Sequence, residues 1–171
     1  MIQERMIRAA KLDPGLYEEV EADRTAMGQA TVVVVLSGLA AGIGHISTGG
    51  LSGVLGMTIA ALLGWYLWAF LTYFIGTRLL AERQTQADYG QLLRTLGFSS
   101  APGVIRVLGV IPPLAPAVFL IAAIWMLAAM VIAVRQALDY SSTLRAAVVC
   151  LLGWIIQAVF LMAAALLFGP S

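Results

Sequence analysis

Apolar positions along the chain fall into long unbroken runs, without the every-other-residue alternation of strands. Such runs cover residues 30–46, 51–76, 114–134 and 146–168 and are rich in Leu, Ala, Val and Ile. In hydrocarbon the backbone must satisfy its own hydrogen bonds, which only helices and closed barrels do. A barrel would show strands of about ten residues with alternating polarity. At about 1.5 Å rise per residue, each run forms a helix able to cross a core of roughly 30 Å. The second run crosses with some tilt.

The ten Lys and Arg and nine Asp and Glu are confined to three blocks, at residues 4–24, 78–106 and 135–145. Between Arg24 and Arg78, between Arg106 and Arg135, and after Arg145, no Asp, Glu, Lys or Arg occurs. A charge at the centre of a bilayer costs several kcal/mol, which selects such spacing. A fifth span, residues 96–111, is short, carries Arg106 and is poorly marked by hydropathy. It is expected because only a crossing there puts every Lys and Arg on one side, as cytoplasmic loops require. The reading is five helices, amino end inside, carboxyl end outside, with uncharged outer turns at 47–50, 112–113 and 169–171. Ser99, Ser100 and Pro102 suit a helix start with a hydroxyl cap. A re-entrant hairpin is the alternative for this segment.

Residues 1–28 read as a cytoplasmic amphipathic arm, and 29–171 as the membrane domain. In the arm, Ile2, Met6, Ala9 and Ala10 share a face beside Arg5, Arg8 and Lys11. Asp13 and Pro14 then open a second short helix with Leu16, Tyr17 and Val20 on its apolar face. Early acids and no short apolar core before a cleavage site argue against a signal peptide. A further surface helix is expected from Thr85 and Asp88, which fit a capping box. Tyr89, Leu92, Leu93 and Leu96 form its stripe and Gly97 its stop.

Composition narrows the function classes. The chain is 61% hydrophobic and 11% charged, with net charge +1 and mean hydropathy +0.93. A soluble chain is about half apolar and a quarter charged. Without a basic stripe, nucleic acid is not an expected partner. His45 and Cys150 are single and fall in opposite leaflets of the layout, and every Asp lies inside. No Cys–His pair, Ser–His–Asp triad or metal centre is expected, and no cofactor. The Gly49–Gly53 stretch matches neither the nucleophile-elbow nor the phosphate-loop spacing and reads as an outer turn.

Arg106 is the most informative residue. It either reaches the inner headgroups or has a buried partner: Asp88, Asp139 or a carbonyl of another helix. Arg135 shares the third charge block with Asp139. Gln157, deep in the last helix, needs an interhelical partner. Gly38 and Gly42 form one small-residue stripe, and Gly56, Ala60 and Gly64 another. Ala129, Ala133 and Ala137 form a third. Such stripes serve packing within the chain or association between chains. Trp68 and Tyr73 suit an interfacial belt.

Four stretches read together resemble the Yip1 family, especially its short prokaryotic members. They are LDPGLYEEVEAD at 12–23, WYLWAFLTYFIGTRLL at 65–80, YGQLLRTLGFSSAPGVIRVLGVIPP at 89–113 and IWMLAAMVIAVRQALDYSSTLRA at 124–146. The resemblance implies a five-helix integral membrane protein with a cytosolic amino end, all-α in fold. Eukaryotic relatives act in vesicle traffic, bind Rab-type GTPases and associate with each other, and they carry a long cytosolic amino-terminal region that is not seen here. That role is not expected to carry over. The expectation is a non-enzymatic protein of the bacterial inner membrane that contacts lipids and binds other membrane proteins or itself. The alternative is a small oligomeric transporter or channel, suited to an anion.

Overall fold

The structure, a computed structural model, describes residues 1–168, with side chains described through Gln157 and at Val159. The expected outer tail 169–171 lies outside the described residues. The molecule is all-helical, and no strand occurs among the described residues. The helices are α1 (Ile2–Ala10), α2 (Pro14–Ala22), α3 (Ala26–Gly44), α4 (Ile46–Phe74), α5 (Tyr89–Ser99), α6 (Ala115–Ala137) and α7 (Thr143–Phe168). Among the described residues, three segments are long and apolar enough to cross a membrane: Ala26–Gly44, Ile46–Leu79 and Pro112–Ala137. The described part of α7, Thr143–Gln157, is apolar but shorter.

The turn between α3 and α4 sits at His45, and α4 is broken at Gly50, where φ is +57° and ψ −162°. A side chain is strained there and glycine is not. The straight part of α4 therefore starts at residue 51, where the second apolar run begins. At its other end α4 passes into one π-helical turn, Ile75–Leu79. The Tyr140 hydroxyl donates to the carbonyls of Gly76 and Leu80, both at 3.0 Å.

The segment before Pro112 departs from the expected surface helix and short span. Asp88 does cap α5, but its capping-box partner is Gln91. Thr85 instead accepts from the Glu82 amide. Gly97 is no stop, because α5 runs on to Ser99. Nor does α5 lie on a surface: Leu92 to Ser99 are all buried. After Ser100 the chain winds as a ten-residue 3-10 helix, Ala101–Val110, without a hydroxyl cap. The Ser99 hydroxyl is spent on the Leu96 carbonyl of its own helix.

The 3-10 segment runs parallel to α3 at very close range. A Cβ on Gly97 would lie 2.7 Å from Ala30 Cβ, one on Gly103 would overlap Ser37 Oγ, and one on Gly109 would lie 3.1 Å from the Gly44 carbonyl oxygen. Three successive levels of α3 thus meet the end of α5 at Gly97 and then two successive levels of the segment, in the same direction. α6 returns antiparallel, with Phe119 against Gly109 and Met126 against Gly103.

Residues from all three charged blocks meet at one end of the bundle. Gln136 on α6 donates to Glu18 on α2 at 2.6 Å. Arg145 pairs with Glu82 at 3.2 Å, and Gln84 donates to the Asp139 carbonyl at 3.2 Å. Asp139 adopts φ +52° in the turn after α6.

Candidate functional site

Arg106 sits on the 3-10 segment, half-buried and level with the middle of α3. Its Nε donates to the Gly103 carbonyl at 3.0 Å. Its Nη2 donates to the Ser37 carbonyl at 3.0 Å and to the Ser37 hydroxyl at 2.6 Å. Of the three expected kinds of partner, the carbonyl of another helix is the one found. Asp88 is occupied in capping α5, and Asp139 belongs to the charged end. Among the described residues no carboxylate pairs with Arg106, and its Nη1 makes no hydrogen bond.

Beside the guanidinium lies a cavity of about 420 Å³ between α3, α4, α5, α6 and α7. Its polar wall is Ser37, Ser99, Ser100, Arg106 and Gln157. Its apolar wall includes Trp68, Met126, Leu127, Met130 and Trp154. The Gln157 side chain makes no hydrogen bond to another described residue and borders this space instead. The Trp68 ring packs against α7, 2.9 Å from where a Cβ on Gly153 would lie. Its indole Nε1 is buried without a partner among the described residues. Arg106 also borders a smaller recess of about 330 Å³, together with Gly38, Ala41, Gly56 and Ala60.

The arm is fastened beside this site through backbone carbonyls. Leu16, Tyr17 and Val20 are fully buried. The Trp125 indole donates to the Ala10 carbonyl at 2.7 Å. Arg94, only 6% exposed, donates from Nε to the Val20 carbonyl at 3.0 Å and from Nη2 to the Glu21 carbonyl. These are carbonyls of the last turn of α2, where a cation is favoured by the helix dipole. Arg94 was not singled out in the sequence; the available signal was a lone cation inside the Leu92–Leu96 stripe.

Electrostatics in the arm pull in two directions. Hydrogen bonds from Arg8 hold the carboxyls of Asp13 and Glu19 below the usual range, with Arg5 adding to the effect on Glu19. Burial pushes Glu21 up to about 7, with nearby Asp139 adding and Arg94 opposing.

The small-residue stripes separate clearly. A Cβ on Gly38 would lie 2.9 Å from Thr58 Cα, and one on Gly42 2.5 Å from Val54 Cα. That stripe is the α3–α4 contact. Ala129, Ala133 and Ala137 are 0% exposed in the core. Gly56 and Ala60 are exposed, and nothing lies within 4 Å of a Cβ built on Gly56 or Gly64. Arg135 closes the α6–α7 turn, with Nη1 3.2 Å from the Thr143 hydroxyl. His45 packs edge-on against Phe119, ring centroids 4.1 Å apart, and Cys150 is buried in the core.

No curated protein and no solved structure matches the chain. A family model does: residues 16–165 match the Yip1 domain. With most of its length matched and its helices long and apolar enough to cross a membrane, the chain belongs to the Yip1 family and is an integral membrane protein.

Proposed function

We propose that this protein is a non-enzymatic component of the bacterial inner membrane that binds another membrane helix, from a partner protein or a second copy, along the outer face of α4. The observation that carries the reading is the Gly56–Ala60–Gly64 stripe. Two of the three small-residue stripes are consumed inside the molecule, while in this one Gly56 and Ala60 are exposed and nothing lies within 4 Å of a Cβ built on Gly56 or Gly64. Without a hydrophobic drive between helices in lipid, close backbone approach at small residues is what favours association. The non-enzymatic reading is supported by the packing roles of His45 and Cys150. Five crossings, amino end inside and carboxyl end outside, are supported by the parallel course of α3 and the 3-10 segment and by the meeting of the charged blocks at one end.

The test is site-specific photocrosslinking in native membranes from position 56 or 60, with position 148 on α7 as comparison. Discrete adducts from α4 are expected. Lipid adducts alone from positions 56 and 60 would remove the reading. Labelling of single cysteines near each terminus, from either side of sealed membranes, tests the crossing number.

A further inference from the structure

We propose that the cavity beside Arg106 is a binding site for one anionic lipid, whose acidic head sits on the guanidinium while a chain lies along α6 and α7. The proposal does not rest on helix association at α4, whose Gly64 also borders this cavity.

The first argument is charge. Arg106 is half-buried at mid-height of α3, and among the described residues it has no counter-ion. Its three hydrogen bonds go to neutral oxygens of Ser37 and Gly103. Neutral oxygens orient a guanidinium without cancelling its charge, and Arg is the side chain best matched to phosphate or carboxylate oxygens. Among the described residues Nη1 makes no hydrogen bond, which leaves part of that donor fork for a ligand.

The second argument is shape. The cavity holds about 420 Å³, inside the range of roughly 300–1,000 Å³ for small-molecule sites. Arg106, Ser99 and Ser100 line it from the 3-10 segment and the end of α5 and Gln157 from α7, while Leu127, Met130 and Trp154 supply apolar surface. The lining combines polar groups with hydrocarbon, as an amphiphile requires. Ala123 on α6 and Trp154 on α7 line the cavity and are exposed, so the site opens sideways, as entry from a bilayer requires.

The third argument is depth. The Ala10 carbonyl bonds Trp125, so the charged turn at Lys11 and Asp13 lies beside the middle of α6. The next residue, Met126, packs on Gly103, one 3-10 turn before Arg106. The charged turn and Arg106 therefore stand at neighbouring levels of α6.

The test uses the full chain, delipidated in detergent, with phosphatidylglycerol adducts counted by native mass spectrometry. Phosphatidylcholine of the same chains and inorganic phosphate are run in parallel. One tightly held phosphatidylglycerol is expected, with affinity at least tenfold above phosphatidylcholine and no competition from inorganic phosphate. Arg106→Gln should weaken binding at least tenfold. Arg83→Gln, which removes a cation in the loop before α5, should not change it. Ala123→Phe, which fills the cavity without touching the guanidinium's bonds, should also abolish binding. It decides the matter if Arg106→Gln fails to fold. Equal binding of both lipids, displacement by phosphate alone, or unchanged binding in Arg106→Gln or Ala123→Phe would each overturn the site. So would a loss in Arg83→Gln equal to that in Arg106→Gln.

Discussion

Arg94 holds the carbonyl oxygen of Val20 at 3.0 Å from inside the protein, with its guanidinium almost wholly covered. A cation in the membrane domain thereby closes the end of a helix in the amino-terminal arm. Removing it strands the last-turn carbonyls of α2 with no donor. Arg94→Met is expected to cost about 2–3 kcal/mol, the range for buried hydrogen bonds to a charged group. Trypsin cleavage at Arg24 in detergent should accelerate, and an unchanged cleavage rate would rule out the clamp.

Arg106→Leu breaks two bonds that join the 3-10 segment to α3 and one within the segment. The expected loss is about 3 kcal/mol, discounted for partial exposure. It reads as lower accumulation and a lower midpoint of thermal unfolding in detergent. Wild-type values for both would show that Arg106 does not brace the segment.

Docking of the arm should depend on pH through Glu21. Its folded pKa of about 7 lies above the ordinary carboxylate value, so the folded state binds more protons than the unfolded one. Stability then falls as pH rises from about 4.5 to about 7 and levels off above. After discounting for solvent the swing is about 1 kcal/mol. Asp13 and Glu19 have the opposite sign: their lowered values contribute stability above the unfolded pKa that is lost as pH falls below it. The arm is therefore expected to be most protected from trypsin near pH 5. Glu21→Gln should remove the decline between pH 5 and 7 while keeping the acid loss.

Glycine substitutions should split by stripe. Gly42→Ala drives a methyl against the Val54 backbone at 2.5 Å and should destabilise by about 1–3 kcal/mol. Gly56→Leu meets open space, so the thermal midpoint should hold while association in membranes falls. A fold defect in Gly56→Leu, with Gly42→Ala tolerated, would reverse the assignment of the two stripes.

Several of these features were legible in the sequence. Charge segregation was, because a bilayer penalises every misplaced ion. The segment at 89–111 was not. Tyr89, Leu92, Leu93 and Leu96 make one apolar stripe whether it meets a membrane surface or another helix. What decides is the packing around it, where α3, α4 and α6 as well as α2 of the arm lie against α5. The partners of Arg94 and Arg106 were hidden for a related reason. Both bind backbone carbonyls, which every residue carries and no residue type announces. The stripe at Gly56, Ala60 and Gly64 looked equivalent to that at Gly38 and Gly42 until the neighbours of each were known.

The tighter winding of Ala101–Val110 has a geometric corollary. In a 3-10 helix side chains three apart eclipse one another, so Gly103, Arg106 and Gly109 stand in a single file turned toward Ser37 and Gly44. Two of the three are bare, which leaves the guanidinium as the lone projection on that track. Rewound at about 3.6 residues per turn, the same ten residues would be shorter and the file would fan out. The pitch of this one stretch is what aims the arginine.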